Sequence, residues 1–462
     1  LGRRLDVLGL GDATAGGLGV RPGLTRAAAA GTAVALTAGA VAIAGPIGFV
    51  GLLGPHAVRR LGVTGTRRLV AVSAVWGAAA LVVADLVTQL VGGNGLVTAL
   101  PTGAVTALLG APLLVGVARS LPAGPAAPPL AVRWGLPYPA VVGGALALVA
   151  ALVLAGLVLG DLAVSPGDVV AALAGRADAL VERVVVDIRL PRVAVATLAG
   201  ASLAAGGVVL QAVTRNPLAD PLLLGVSGGA EVGALGLLFL VDDPPAGLVA
   251  GAAFAGAVAV LSLVLAASWR RGLAPDRLAL VGVGAAAFTA AVVTLLVVRH
   301  QLRLAQALVW LAGSTYARDA GDVRLLALWP LAVVPLLWLM GRHLDLLALG
   351  DAAARSLGVR ADATRVAGLL LGCVLAAAAV ASVGTVGFVG LLAPHLARPL
   401  AGPGHRRLLP AAALVGAALV VAADLVGRVA FAPREVPAGL VVAVVGSPLF
   451  LGVLWRTRAR AA

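Results

Sequence analysis

GFVGLLAPHLAR at Gly387–Arg398 restates GFVGLLGPHAVR at Gly48–Arg59, each with a proline, a histidine and an arginine inside or beside an apolar, glycine-rich run. Working outward, Asp6–Leu90 aligns without a gap on Asp345–Val429, an offset of 339 residues (Asp345 against Asp6). After a three-residue slip, Pro101–Arg119 continues onto Pro437–Trp455. A period this long exceeds any solenoid repeat and means tandem copies of one whole domain. The first copy holds the last third of that domain, and the second, from Val132 onward, is complete.

The sequence around the repeat is membrane-forming. Of 462 residues 61% are hydrophobic and 12% charged, and mean hydropathy is +1.06, far outside the globular norm. Apolar stretches near the length of a bilayer crossing recur from end to end, for example Leu136–Gly160, Gly247–Ser268, Ala367–Val383 and Ala411–Val426. Ala, Leu, Val and Gly dominate them without alternating polarity, so helices satisfy the backbone groups in lipid and a barrel does not. Crossings are predicted in the complete copy near residues 136–160, 193–211, 222–241, 247–268, 278–298, 325–340, 364–383, 386–400, 409–429 and 438–455. Four more are predicted near 25–44, 47–60, 69–90 and 99–117. The expected fold is therefore all-α and polytopic: residues 1–120 carry the last four helices of a first unit, 121–134 (LPAGPAAPPLAVRW) form a Pro/Ala-rich linker, and 135–462 form a ten-helix unit.

An even number of crossings separates LDVLGLGD (Leu5) from LDLLALGD (Leu344), so both face the same side. Placing them in the cytoplasm puts most of the arginines there, as the positive-inside rule requires. All 34 basic residues are arginine, and a Walker A loop needs lysine, so the chain does not hydrolyse ATP by that route. Cys373 is the single cysteine, which excludes an internal disulfide and argues against a thiolate metal site. The net charge of +14 is divided among short arginine clusters between spans, a loop pattern and not a nucleic-acid face. The chain begins at Leu1 with its only methionine at Met340 and reads as a fragment or processed product, with no recognisable signal peptide.

Three segments are candidates for function. In LDLLALGDAAARSLGV (Leu344–Val359) and its partner LDVLGLGDATAGGLGV (Leu5–Val20), Gly350 breaks the preceding run, Asp351 is a good N-cap and Gly358 ends a very short helix. Such a helix is too short to stand alone and needs tertiary or partner contacts. The same punctuation in both copies marks a docking element. In the opening motif, Pro394 disturbs the helix; His395 is expected to cap freed backbone groups and Arg398 to reach the interface, structural roles. In Ile188–Ala230, Arg189 and Arg192 precede a small-residue span, and NPLADP with Pro217 and Pro221 forces irregular backbone, tolerable at membrane depth where it is buried or lines a water-filled path. Gln211, Asn216 and Ser227 are expected along such a path.

RLPR, QAVTRNPLADPLLLGVSGGA, LALGDAAARSLGV, GFVGLLAPHLARPLAG, HRRLLP, ADLVGR and VPAGLVVAVVGSPLF together resemble the permease subunits of ABC importers for iron(III)-siderophores, haem and cobalamin. The resemblance covers essentially the whole chain and implies a ten-helix permease unit, preceded here by the end of a second unit as in a fused double-length permease. It implies import driven by a separate cytoplasmic ABC ATPase dimer, with delivery by an extracytoplasmic substrate-binding protein, in a bacterial cytoplasmic (inner) membrane. It implies that no cofactor is bound directly, that ATP is used by the partner subunit, and that the chain itself is not an enzyme.

Residue by residue, the resemblance implies that Gly350, Asp351, Ala354, Arg355, Leu357 and Gly358, with Gly11, Asp12, Leu18 and Gly19 in the first copy, contact the ATPase as a coupling helix. It implies that Arg189, Arg192 and Arg428 pair with acids of the binding protein. Ala274–Arg277, with Pro275 and Asp276, matches the loop that closes the path on the cytoplasmic side. Gln89 stands where the second copy has Arg428, and Gly16 where it has Arg355. Glu231 is an acid in an apolar span, beside an aqueous path or paired with an arginine. The alternative, an ion-coupled secondary transporter, would normally show inverted repeats with ionisable residues at midplane. The repeat here is parallel. A membrane enzyme would need a convergent catalytic set, and the five histidines are dispersed. The sequence does not separate hydroxamate from catecholate, haem or cobalamin cargo.

Overall fold

The computed structural model describes residues 1–45, 47–92, 101–118, 136–222, 224–269, 273–300 and 303–459; the linker expected at 121–134 lies outside them. The described residues are helical with no strand. Among them nine helical runs are long and apolar enough to cross a membrane, and Thr102–Gly116, Val226–Leu240 and Ala438–Gly452 add shorter apolar helices. The chain is a multi-pass membrane protein. It divides into two compact units, residues 1–120 with 290–299, and residues 121–289 with 300–462.

Unit 1 contains α1 (Gly2–Leu8), α2 (Asp12–Gly17), α3 (Pro22–Ala44), α4 (Val50–Arg60), α5 (Thr66–Gly92) and α6 (Thr102–Ala118). Pro22 opens α3, where a missing N–H costs nothing. Asp6 of α1 accepts hydrogen bonds from the backbone N–H (2.8 Å) and hydroxyl (2.5 Å) of Thr66, tying α1 to the start of α5.

Unit 2 continues with α7 (Tyr138–Val158), α8 (Pro166–Leu173), α9 (Ala179–Glu182) running through a π turn at Arg183–Arg189 into α10 (Leu190–Thr214), α11 (Val226–Leu240), α12 (Ala246–Trp269) and the first part of α13 (Pro275–Arg299), whose residues 290–299 are grouped with unit 1. It closes with α14 (Leu304–Leu311), α15 (Ala320–Ala348), α16 (Asp351–Ser356), α17 (Ala361–Val383), α18 (Val389–Ala401), α19 (His405–Val429) and α20 (Ala438–Ala459). Every predicted crossing has its helix. The sequence reading missed α8, the π turn and α14, short elements in the connections; α8 is fixed by a reciprocal capping box between Ser165 and Asp168. The α15–α19 connection of unit 2 repeats the Asp6 device, with Asp345 accepting from the backbone N–H (2.9 Å) and Nδ1 (2.6 Å) of His405.

The centre of unit 2 is α10, buried around almost its whole circumference and packed on α15, α17, α18 and α19. Lipid tails give apolar side chains no reason to leave them, so close backbone approach must hold these helices together. A Cβ at Gly207 would lie 1.9 Å from the carbonyl oxygen of Gly390, so only glycine admits α18 here. The helix α18 begins after a break at Gly384–Phe388, with Gly384 and Phe388 both at positive φ (74° and 66°). The crossing predicted at 386–400 is thus a short helix entered through irregular backbone.

Candidate functional site

The duplicated short segment has the same geometry in both units. Gly350 and Gly11 adopt φ of 107° and 101° at the N-caps of α16 and α2, a region open to glycine alone. Gly358 (82°) and Gly19 (78°) follow the helices, also left-handed. Ala354 and Ala15 are fully buried and seat each helix, while Leu357 (58% exposed) and Leu18 (62%) point outward. Leu349 and Leu10, which the sequence reading passed over, are equally exposed and flank the helices on their other side. Arg355 is exposed on α16, where α2 carries Gly16. Each segment thus offers two large apolar side chains around a short, glycine-bounded helix.

Asp351 is not the cap that the sequence suggested. Gly350 occupies the N-cap, Asp351 is the first helical residue, and no side chain caps the helix. Its Oδ1 instead accepts from Arg215 Nη2 (2.6 Å) and Arg365 Nη2 (2.7 Å). Arg365 is fully buried and also donates from Nε to the Val213 carbonyl (3.1 Å). In unit 1 the equivalent acid, Asp12, is paired with Arg26 on the surface (2.5 Å). The two arginines on Asp351 lie 136 and 14 residues away in sequence. Only the second leaves a signal there, the repetition of Asp351 and Arg365 as Asp12 and Arg26.

At the end of unit 2 that the charge bias reads as external, Arg189, Arg192 and Arg428 come together but are buried, 4%, 7% and 7% exposed. All three guanidinium groups bond inside the molecule, and Arg428 keeps a buried Nε with no hydrogen-bond partner. Arg189 donates to the carbonyls of Leu157 (2.7 Å), Val158 (2.9 Å) and Leu162 (2.7 Å), closing the end of α7. Arg192 bonds Asp424 of α19 (3.0 Å) and Glu435 (2.9 Å), and Thr315 donates to Asp424. Arg428 donates to the Gly156 carbonyl (2.7 Å). A desolvated guanidinium needs such partners. In unit 1 Gln89, at the place of Arg428, bonds Asp85 (2.8 Å).

The opening motif is structural, by a different route from the one expected. His395 Nδ1 donates to the Leu391 carbonyl (2.7 Å), its own preceding turn, as His56 does to Leu52 (2.9 Å). The carbonyl that Pro394 frees is that of Gly390, and it faces Gln211 Nε2 (3.5 Å). Arg398 turns inward and donates to Gln211 Oε1 (3.0 Å). Gln211 is therefore buried between α10 and α18.

The other residues expected along the path are divided among different surroundings. Asn216 accepts from the Leu218 N–H (2.9 Å), Pro217 is exposed, and Pro221 and Ser227 are buried. Asp220 of the same loop accepts from the Leu222 N–H (2.8 Å) and from the backbone of Leu391 in the first turn of α18. Pro275 is buried and Asp276 exposed at the start of α13. Glu231 on α11 has Thr385 as a side-chain hydrogen-bond partner. A cavity of about 280 Å³ in unit 1, lined by Leu52, His56, Trp76, Leu113 and neighbours, contains none of these residues. Among the described residues no cluster of His, Cys, Asp or Glu is placed to hold a metal ion.

The sequence matches the FecCD transport family over residues 1–120 and 147–456. It is 40% identical over 296 residues to the Fe(3+)-citrate import system permease protein YfmE of Bacillus subtilis (64% of this chain, 89% of that protein). It is 41% identical over 316 residues to the achromobactin transport system permease protein CbrC of Dickeya dadantii (68% and 90%). It is 36% identical over 465 residues to the iron(3+)-hydroxamate import system permease protein FhuB of Salmonella typhimurium, where it covers 98% of this chain but spans 65% of the relative. Among solved structures, an inward-facing ABC transporter described as of metal-chelate type matches with a TM-score of 0.63 at 30% identity, over 69% of this chain and 100% of that one.

Proposed function

The chain belongs to the FecCD transport family, and from that premise we propose that it moves an iron(III) chelate of the siderophore type across a bacterial inner membrane as the permease of an ATP-driven importer. The observation that carries the reading is the duplicated segment at α2 and α16. A short helix held between two left-handed glycines, seated by a buried alanine and flanked by outward leucines, is built to fit a groove of a partner. Its partner is a cytoplasmic ABC ATPase dimer, one subunit for each copy, and the contact residues are Gly350, Asp351, Ala354, Arg355, Leu357 and Gly358, with Gly11, Asp12, Leu18 and Gly19.

Residues 1–120 are the closing part of one permease unit and 135–462 a whole second one. A difference in burial supports this division: none of the most apolar window of α3 is buried, against 67% for its repeat α17, which packs on α10. A binding protein docks at the opposite end from the ATPase. Arg189, Arg192 and Arg428 form the inner frame of that face, so direct pairing with a partner's acids requires Glu435, the more exposed end of the network, to give way. The chelate's path runs past the 211–227 segment and the start of α13 at Pro275 and Asp276.

The test is uptake of a ⁵⁵Fe-labelled ferric hydroxamate into vesicles holding the intact protein, its ATPase and its binding protein. Replacing the Walker A lysine of the ATPase should abolish uptake. Uptake that persists would favour ion-coupled transport and overturn the reading.

A further inference from the structure

The acid at the head of α16 is held from two directions. Arg365 comes from the core: it is fully buried on α17 and fastened to the end of α10 through the Val213 carbonyl (3.1 Å). Arg215 comes from the point where α10 stops, with left-handed backbone (φ 47°, ψ 31°) leading directly into the Asn216–Pro221 loop. Both guanidinium groups meet the same oxygen, Asp351 Oδ1, at 2.7 and 2.6 Å. From Arg215 the loop runs to Asp220, which is bonded to the backbone of Leu391 where α18 begins after its break.

Resting on the coupling role assigned to α16, we propose that Arg215 is a positioning residue that carries displacement of the α16 segment into the 216–221 loop and the first turn of α18, with Arg365 as the anchor that keeps the acid in place. Two cations on one carboxylate oxygen separate these tasks. If Arg215 is removed, Asp351 keeps the Arg365 bond and its charge stays paired, so the fold persists while the link to the loop is cut. If Arg365 is removed, the anchor itself is lost. In unit 1 Asp12 pairs with Arg26 at the same separation of 14 residues, there on the surface.

The experiment measures ATP hydrolysed per iron taken up, in proteoliposomes holding the intact transporter, its ATPase and its binding protein, with ⁵⁵Fe-labelled ferric hydroxamate. Arg215→Gln should leave ATPase association unchanged and raise the ATP-to-iron ratio about tenfold, within the range by which single residues alter coupling. Arg215→Lys, which keeps the charge without the fork, should recover part of the loss. A wild-type ratio in Arg215→Gln overturns the proposal.

A second measurement is a double-mutant cycle. In an Asp351→Asn background, where the link to Arg215 has already lost its charge, Arg215→Gln should raise the ATP-to-iron ratio no further. An added rise as large as in the wild-type background overturns the proposal as well. If wild-type uptake ignores the Walker A substitution, the import reading has failed; if it obeys and Arg215→Gln keeps the wild-type ratio, the link alone has failed.

Discussion

Burial pushes the Asp351 carboxyl up, but the hydrogen bond and charge of Arg365, with the charges of Arg215 and Arg355, outweigh it and hold the group below the usual carboxylate range. A depressed folded value means that the pairing stabilises the protein above the unfolded value of about 4 and is lost as pH falls through the folded one. Hydrogen exchange at the amides of Ala354–Val359 should therefore keep constant protection from pH 8 down to about 5 and lose it only under stronger acid. Arg365→Met should lower stability by about 3 kcal/mol, the lower end for a broken buried pair because Asp351 retains Arg215; thermal unfolding in detergent measures it. The sequence marked Asp351 as a candidate position but assigned it the wrong local role. An aspartate after glycine reads as a cap from short-range rules alone, and nothing local announces an arginine 136 residues away.

At the scale of elements, the crossings were legible because a bilayer imposes a length and a composition on every spanning helix. Connecting elements such as α8 and α14 carry no such constraint and were missed. The glycine punctuation of α16 was legible too, and it supports a further expectation. Gly350→Ala forces a Cβ into a backbone region costing about 1–3 kcal/mol, with no atom nearer than Arg215 Nη1 at 3.8 Å to clash with it. The strain falls on the entry to α16 and not on the bundle. Gly350→Ala should reach the membrane at wild-type level and weaken recovery of the ATPase in pull-downs. Equal recovery would mean that the shape of the segment is immaterial.

In the whole molecule, the 339-residue repeat revealed two copies, but the fate of charged side chains at the helix ends was not legible. An arginine at the end of a span reads as solvated. Arg192 is instead enclosed by Asp424 and Glu435, residues more than 230 positions away whose approach depends on the packing of α10 against α19. Glu435→Gln should remove the charge that holds Arg192 Nη1 and strengthen salt-sensitive association with the binding protein, measured by surface binding at two ionic strengths; weaker or unchanged association would mean that these arginines stay internal. The central claim is that the two duplicated segments are where an ATPase acts on this permease. Its most direct test is cross-linking from single cysteines, Leu357→Cys and Leu18→Cys, in the Cys373→Ser background, with Leu328→Cys on the exposed side of α15 as control. Adducts with the ATPase from 357 and 18, and none from 328, are the expected result. An ATPase that leaves both segments unlabelled while uptake remains ATP-dependent would contradict the account.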